Sequence, residues 1–550
     1  MLRRTFLTKA SLASSALVLP KYSFSMAPVF EEYVQTETSY GKIRGLKTNG
    51  VNIFKGIPYA GKVSGERRFK RPGDLKPWTG VKDALTHGAP AIQPPRRGEP
   101  EPSEDCLFLN VWTPANDDKK RAVMFYSHGG GFVGGSGGAA HQDGANLARN
   151  FDVVVVQTNH RLGLLGFLYL DDVAGAEYAG SGNMGILDIT EGLKWVHENI
   201  AEFGGDPDNV MIFGESGGGA KTSCLYAMPE AAPYFSKASI ESGPGVRMLT
   251  QETAQETTLQ LLHELDIPVS NWKKLLDLPA DELLRIQGKL PFVAPFQEKN
   301  NTKNLMEKTA GGFGPVVDGK VLPHHPFDPK APEMSKNKPL LVGWNEDEYT
   351  FFAWERKDTD FAKLNFDTLI NRLEPQFGAD SSRIIEAYRK SRPNASAPDI
   401  FIAISSINMM GLGSIEIAEK KVKQGGAPVY LYNFGYKSEK KIPGTDYAMG
   451  TPHAMDISFK FNNEVPPKEG EGEPGSFFGG NRSERFQASH NFAALWTNFA
   501  KTSRPFAKDV PTWPSYDLET RRTMIIDTDC KLVNDRFSSE IELWKSIGKI

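Results

Sequence analysis

The chain alternates short apolar runs, rich in β-branched residues, with longer segments of helical periodicity, and this alternation restricts the fold more than any other feature. Residues 186–200, for example, carry apolar side chains at spacings of three and four. Apolar runs joined by helices are typical of parallel strands covered by helices on both faces. We therefore expect an α/β fold with a large, mostly parallel central sheet. The runs that predict strands are residues 121–127, 152–158, 210–214, 237–240, 338–343 and 428–434.

The 550 residues are predicted to form one α/β domain over residues 28–550, after an N-terminal leader. Within that domain, residues 356–425 have mostly helical patterns and are expected to form a helical cap insertion. Residues 462–484 are rich in Gly, Pro and Glu, so we expect a long mobile loop there.

Composition and charge exclude several classes of function. A formal net charge of −3 and a pI near 6.4 give no basic surface for nucleic acid. With three cysteines in the whole chain, neither a zinc-binding cysteine cluster nor a disulfide-rich scaffold is expected. No stretch after the leader approaches the roughly 18 uninterrupted apolar residues that a membrane span needs, so no stable span is expected.

The first 25 residues have the pattern of an export signal. They carry Arg3, Arg4, Lys9 and Lys21 and no acidic residue, followed by an apolar run and small residues. The adjacent arginines resemble the twin-arginine signature, which predicts a periplasmic or secreted protein. Removal of this segment would take the net charge from −3 to −7, since four positive charges leave with it. The alternative is an ordinary basic and apolar N-terminal helix.

Two serines lie in a G-x-S-x-G pattern, which is the pattern of a serine nucleophile on a sharp turn between a strand and a helix. Ser216 follows the apolar run 210–214 and precedes a segment that can begin a helix. Ser136 lies in a glycine-dense loop with no strand before it. The local context therefore favours Ser216 as the nucleophile.

Three consecutive glycines follow the predicted strand 121–127, in the sequence His128-Gly129-Gly130-Gly131-Phe132. Without side chains, a carbonyl oxygen can approach the backbone N–H groups closely, as in the oxyanion loop of α/β hydrolases. The expected donors are Gly130, Gly131 and Gly217. The alternative, a phosphate-binding loop, is not supported, because no Gly-Lys-Ser or Gly-Lys-Thr follows.

In the α/β-hydrolase order, the acid and the histidine follow the serine. His453 lies in a loop after the apolar run 428–434, whereas His490 lies in an amphipathic helical pattern and His324 and His325 lie between prolines. Spacing alone leaves His453 a candidate rather than an assignment. The acid candidates after the run 338–343 are Glu346, Asp347 and Glu348, and the surrounding sequence does not distinguish among them.

At this point the motifs resemble those of the type-B carboxylesterases, a family that includes cholinesterases and bacterial para-nitrobenzyl esterases, over nearly all of the mature chain. The resemblance implies an α/β-hydrolase fold, with Ser216 as nucleophile, Glu348 as acid and His453 as base. It further implies that Ser242 hydrogen-bonds the acid and that Glu215 is a carboxylate beside the nucleophile. The matching segments include residues 54–60, 103–111, 128–132, 159–163, 203–207, 213–218 and 314–319.

The sequence departs from the family pattern at several positions. Gly217 replaces the usual alanine after the nucleophile, and Tyr349 replaces the usual glycine after the acid. Cys106 lacks its usual partner, because Ala91 stands in that place, so a free thiol is predicted. Residues 93–103 contain no tryptophan to bind a quaternary ammonium group, so choline esters are not expected as substrates.

The expected function is hydrolysis of small to medium organic esters through an acyl-enzyme intermediate, with no metal and no cofactor. Arg247 is a weaker candidate for binding a substrate carboxylate, and a structural arginine is the alternative. The same residues could act on an amide, thioester, carbamate or lactone, and a non-catalytic binding protein on this fold is a further alternative. Lipase action would need an apolar lid, and the loop at 462–484 is too charged to form one.

Overall fold

The computed structural model describes residues 32–290, 313–466 and 476–550. The predicted export signal at residues 1–25 lies outside the described residues. So do residues 467–475, in the middle of the loop predicted to be mobile.

Fifteen strands are found in the described residues, and thirteen of them form one sheet. They are β1 (Glu32–Thr38), β2 (Gly41–Thr48), β3 (Val51–Pro58), β4 (Val81–Asp83), β5 (Phe108–Thr113), β6 (Arg121–Ser127), β7 (Val154–Thr158), β8 (Gly205–Glu215), β9 (Lys237–Glu241), β10 (Leu340–Asn345), β11 (Val429–Phe434), β12 (Ser438–Lys441), β13 (Ala448–Gly450), β14 (Thr523–Ile526) and β15 (Lys531–Val533).

The centre of the sheet is parallel and its edges are antiparallel. The spatial order is β1, β2, β3, β5, β7, β6, β8, β9, β10, β11, β14, β15, and β4 pairs with β2. Strands β7 through β14 in that order are mutually parallel, and β1, β2, β3, β5 and β15 pair antiparallel along the same order. The short strand β4 pairs parallel with β2. Strands β12 and β13 form a separate hairpin. The sheet is thus mixed and mostly parallel, as the apolar runs predict.

Helices cover both faces of the sheet. They are α1 (Ala145–Phe151), α2 (Gly163–Phe167), α3 (Asp171–Ala174), α4 (Met184–Asn199), α5 (Gly217–Ala227), α6 (Gln251–Glu264), α7 (Lys274–Asp277), α8 (Ala280–Gln287), α9 (Tyr349–Glu355), α10 (Phe366–Phe377), α11 (Ser381–Ser391), α12 (Ala397–Ser406), α13 (Leu412–Gln424), α14 (Met455–Lys460), α15 (Glu484–Thr502) and α16 (Ser538–Ser546).

Side chains along each central strand alternate between two large hydrophobic clusters, one on each face of the sheet. In β6, Val123 and Phe125 belong to one cluster, and Met124 and Tyr126 belong to the other. All seven residues of β6 are buried. Because both faces are covered, the strand sequence is continuously apolar instead of alternating.

All six predicted strands are present, and β8 differs most from its predicted bounds. It begins at Gly205, five residues before the apolar run, because Gly205 pairs with Arg121 at the start of β6. The polar residues 206–209 thus belong to a strand that their composition does not predict. The helix predicted at 186–200 is α4.

The helical stretch Ala397–Gln424 comprises α12, a π-helical turn and α13. It is long and apolar enough to cross a membrane, because its most apolar 18-residue window has a mean hydropathy of 1.6. However, 78% of its most apolar window is buried inside the protein. Its apolar character is therefore explained by packing in the protein core. It lies in the segment 356–425, which also contains α10 and α11.

Candidate active site

Ser216 lies on a sharp turn between β8 and α5. Its backbone angles are φ 58° and ψ −125°, a strained conformation for a residue with a side chain. The turn has no room for side chains on either side, because a Cβ on Gly214 or on Gly218 would come within 2.7 Å of the backbone oxygen of Ser127. These glycines therefore allow the turn that exposes Ser216 at the carboxyl end of the parallel strands.

Ser136, the other serine in a G-x-S-x-G pattern, lies in a loop and accepts a hydrogen bond from the N–H of Gly138 (3.2 Å). It is buried, and no strand leads into it. Ser136 therefore does not lie on a turn between a strand and a helix, in agreement with the choice of Ser216 from the local sequence.

The structure brings Ser216, His453 and Glu348 into one hydrogen-bonded chain. His453 Nε2 lies 2.7 Å from Ser216 Oγ, and His453 Nδ1 lies 2.6 Å from Glu348 Oε2. The three residues come from loops that follow β8, β10 and β13, at separations of 237 and 105 residues along the chain. The structure thus brings together the three residues to which the resemblance assigns the roles of nucleophile, base and acid.

The acidic trio after β10 divides by its contacts. Glu348 is fully buried, and its Oε1 accepts a hydrogen bond from the N–H of Asn345 (2.7 Å). Glu346 forms ion pairs with Lys437 and Arg536, and Asp347 also pairs with Lys437. Only Glu348 of the three faces His453.

Glu215 lies beside the same histidine. Its Oε1 accepts a hydrogen bond from the N–H of Ala454 (3.1 Å) and lies 3.4 Å from His453 Nε2. Burial raises the pKa of the Glu215 carboxyl, and the charge of His453 opposes this shift. Burial alone would lower the pKa of His453, but the carboxylates of Glu215 and Glu348 outweigh burial and raise this pKa above its usual value.

Ser242 follows β9 and is fully buried near Glu348. Burial raises the pKa of the Glu348 carboxyl, and the Ser242 hydroxyl is among the groups that oppose this shift. Its Oγ nevertheless has no partner in hydrogen-bonding geometry among the described residues. Ser242 is therefore near the acid, as the resemblance implies, without a formed hydrogen bond.

The glycine loop after β6 lies against the start of α5. Gly130 and Gly131 both have positive φ, at 86° and 62°, which glycine adopts without strain. A Cβ on Gly217 would come within 2.2 Å of the oxygen of Gly131. Within the described part of the chain, the N–H groups of Gly130, Gly131 and Gly217 donate no hydrogen bond. The three predicted donors are thus adjacent and free to bind a ligand oxygen.

Two features of the site are not anticipated by the sequence analysis. One is a buried ionic cluster in which Lys460 pairs with Glu241 and, at 3.1 Å, with Asp456. Asp456 also accepts a hydrogen bond from Asn345 (3.0 Å), so the cluster contacts the residue that binds Glu348. No local signal points to this cluster, because Glu241 and Lys460 are 219 residues apart.

The other is a group of aromatic rings beside the histidine. Phe351 and Phe352 lie 5.6 and 5.1 Å from the His453 ring, measured between centroids. Phe351 continues this contact to Trp354 (5.6 Å) and Phe478 (5.8 Å). The aromatic run at residues 349–354, directly after the acid, is the sequence feature that could have predicted aromatic rings beside the site.

Arg247, the candidate for binding a substrate carboxylate, forms an ion pair with Asp328. Asp328 also pairs with Lys420 at 3.2 Å. This pairing favours the structural alternative for Arg247, and its role toward a substrate stays a prediction.

Cys106, Cys224 and Cys530 are free and buried. The prediction of a free thiol at Cys106 is therefore confirmed. No group of three or more His, Cys, Asp or Glu residues in the described ranges could hold a metal ion.

Comparisons with known proteins place the chain among esterases. The model of the carboxylesterase family matches residues 31–544. The para-nitrobenzyl esterase of Bacillus subtilis is 36% identical over 510 residues, which cover 90% of this chain and 96% of that protein. The fumonisin B1 esterase of Sphingopyxis macrogoltabida is 31% identical over 492 residues, which cover 87% of this chain and 84% of that protein.

A solved structure of a Geobacillus stearothermophilus carboxylesterase superimposes with a TM-score of 0.76 at 36% identity, and the match covers 93% of this chain and 99% of that one. Such neighbours have the α/β-hydrolase fold, in agreement with the mixed sheet described above. By family model, by identity and by fold, this chain belongs to the carboxylesterase family.

Proposed function

We propose that the protein is a serine ester hydrolase that cleaves small to medium organic esters through an acyl-enzyme intermediate. The observation that carries the proposal is the contact chain from Ser216 Oγ through His453 to Glu348, with distances of 2.7 and 2.6 Å. These are the distances of a nucleophile, a base and an acid that orients the base.

In the first half of the reaction, His453 Nε2 takes the proton of the Ser216 hydroxyl while Oγ attacks the ester carbonyl carbon. Glu348 accepts the Nδ1–H, fixes the tautomer and stabilises the imidazolium that forms. The carbonyl oxygen becomes an oxyanion, which the N–H groups of Gly130, Gly131 and Gly217 bind. The imidazolium then donates its proton to the leaving alcohol oxygen.

In the second half, water replaces the alcohol. His453 takes a proton from the water, the hydroxide attacks the acyl carbon, and the oxyanion forms again at the same three N–H groups. Collapse of this intermediate releases the carboxylic acid and returns the proton to Ser216. No metal or cofactor is required for either half.

The comparisons support an ester as the bond that is cleaved, since the relatives named above are esterases. One further relative is named a medium-chain fatty acyl-CoA hydrolase precursor, at 29% identity. Cleavage of another acyl bond therefore stays an alternative, which a matched ester, thioester and amide of the same acyl group would separate.

The test is the release of nitrophenol from para-nitrophenyl esters of short and medium acyl chains. Ser216→Ala should abolish turnover, and the matched control Ser136→Ala should retain it, since both serines lie in the same G-x-S-x-G pattern. No hydrolysis by the unaltered protein, or equal loss in both variants, would contradict the proposal.

We also propose that residues 1–25 direct export. The support is the charge pattern of the segment, with Arg3 and Arg4 ahead of an apolar run. Expression with Arg3 and Arg4 both replaced by lysine should move the protein from the exported to the cytoplasmic fraction. Equal export of both forms would contradict the proposal.

A further inference from the structure

Lys221 is a buried cation that the mechanism above does not use. It lies one turn into α5, after the glycines that follow Ser216, and its exposed fraction is 0%. Among the described residues no carboxylate forms an ion pair with Lys221, and burial lowers the pKa of its ammonium group to about 7. Burying an ammonium group without an ion-pair partner is unfavourable in free energy, so we expect another contact to compensate for it.

The hydrogen bond of Lys221 is made to the first residue of the glycine loop. Its Nζ donates to the carbonyl oxygen of His128 at 2.9 Å. The ammonium also lies 6.0 Å from the ring centroid of Phe132, the residue that follows the glycines. Lys221 thus contacts both ends of the loop that carries Gly130 and Gly131.

The other carbonyl groups of the loop are also fixed. Nδ1 of His128 donates to the oxygen of Gly129 (2.9 Å), and the N–H of Gly134 donates to the oxygen of Gly130 (3.0 Å). In a planar trans peptide, the carbonyl and the following N–H point in opposite directions. Holding the oxygens of Gly129 and Gly130 therefore also fixes the directions of the N–H groups of Gly130 and Gly131.

The imidazole ring of His128 is held in turn. It stacks on His160, with 4.5 Å between centroids and 19° between planes. A Cβ on Gly135 would come within 2.3 Å of His128 Nδ1, so the ring fits only because residue 135 is glycine. Burial is the main cause that lowers the pKa of His128 and of His160, and the charge of Lys221 lowers both further. Both rings are therefore neutral.

We propose that Lys221 is a positioning residue of the oxyanion-binding loop: it anchors the backbone of His128, whose ring holds the Gly129 oxygen and so fixes the peptide plane that presents the N–H group of Gly130. This inference rests on the proposed function. It assigns to Lys221 a role in transition-state binding, because the oxyanion exists only there and not in the bound ester.

The test compares Lys221→Met with Lys421→Met. Lys421 is a matched control, because its Nζ is also buried and donates to backbone oxygens, those of Ser335 (2.9 Å) and Lys336 (2.6 Å), away from the glycine loop. Each variant is assayed for kcat and KM on a para-nitrophenyl ester and for inhibition by a trifluoromethyl ketone, which adds to the serine and places an oxyanion on the loop. The alcohol of the same carbon skeleton serves as a ligand that forms no oxyanion.

We expect Lys221→Met to lower kcat about 10- to 100-fold, to weaken the trifluoromethyl ketone by a similar factor, and to leave KM and the alcohol affinity nearly unchanged. Lys421→Met should keep kcat and the ketone affinity, even if its melting temperature falls. Lys221→Gln, which keeps an N–H donor without the charge, should retain more kcat than Lys221→Met, and it provides the comparison if the methionine variant does not fold.

The inference is overturned if an active protein keeps its ketone affinity in both Lys221 variants, or if the alcohol affinity and the Lys421→Met variant show the same loss. An unaltered protein that neither hydrolyses the ester nor binds the ketone would instead contradict the proposed function, and the inference with it.

Discussion

The carboxylate of Glu215 lies 3.4 Å from His453 Nε2, the same nitrogen that contacts Ser216 Oγ at 2.7 Å. His453 therefore has a carboxylate near each ring nitrogen, since Glu348 lies 2.6 Å from Nδ1. Both carboxylates stabilise the imidazolium form. The histidine can act as base only when it is neutral, so these contacts set the pH at which activity begins.

Glu215→Gln should move the acidic limb of kcat/KM to lower pH. Replacing the carboxylate with an amide removes a negative charge beside His453, so the pKa of the imidazole falls and a larger fraction is neutral at a given pH. We expect a shift of about one pH unit, measured on a para-nitrophenyl ester. Glu37→Gln, on an exposed part of β1, is the control, and a limb that stays in place or moves to higher pH would exclude this role for Glu215.

Gly217→Ala should lower activity, although alanine is the usual residue at this position in the family. In this protein a Cβ on residue 217 would lie 2.2 Å from the oxygen and 2.5 Å from the nitrogen of Gly131, so the glycine loop would have to move away. We expect kcat/KM to fall about 10-fold or more, because the loop carries two of the three proposed oxyanion donors.

Gly288→Ala is the control for this change, since a Cβ there would meet no atom closer than 3.6 Å. An alanine variant at residue 217 with full activity would mean that the loop relaxes at no cost.

The sequence predicts a residue's role best where the residues next to it in the chain determine that role. Ser216 lies between glycines that the turn requires, and this local context favours it over Ser136. No local pattern identifies the acid among Glu346, Asp347 and Glu348, because the three residues differ in the side chains that they contact in the folded protein. Lys437 and Arg536 come from distant segments and neutralise the first two.

Other relationships arise only from the folded chain. The sequence around Gly217 does not show that Gly131 occupies the space that a Cβ on residue 217 would need. Likewise, Lys221 reads as one polar residue in a helix, and its burial under the glycine loop follows from the packing of α5 against β6 and β9. Such contacts join residues that are far apart in the chain, so periodicity and motif spacing do not encode them.

The three cysteines should not react with a thiol reagent while the protein is folded. Cys106 and Cys224 are fully buried and Cys530 is 8% exposed. Burial raises the pKa of all three thiols, that of Cys530 to about 11, so the reactive thiolate is scarce at pH 8. Ellman's reagent should detect three thiols in guanidinium chloride under non-reducing conditions and less than one in buffer. A disulfide would leave at most one reactive thiol after unfolding.

Lys460→Met should destabilise the protein strongly. Lys460, Glu241 and Asp456 have exposed fractions of 0%, and the ammonium group is the cation that pairs with both carboxylates. Removing one partner of a buried ionic cluster leaves charges without compensation, which costs about 3–5 kcal/mol of the free energy of unfolding. Lys47→Met is the control, since Lys47 and Glu32 form an exposed pair on the edge of the sheet, and it should cost less than about 1 kcal/mol.

The loss in Lys460→Met should also depend on pH. Burial raises the pKa of the Glu241 carboxyl, and without Lys460 nothing opposes that shift through an ion pair. A carboxyl whose pKa is higher in the folded state favours folding when it is protonated, and this contribution disappears as the pH rises through the folded-state pKa. Urea unfolding should therefore show a smaller difference from the unaltered protein at pH 5 than at pH 8. An equal loss at both values would mean that Glu241 does not carry the uncompensated charge.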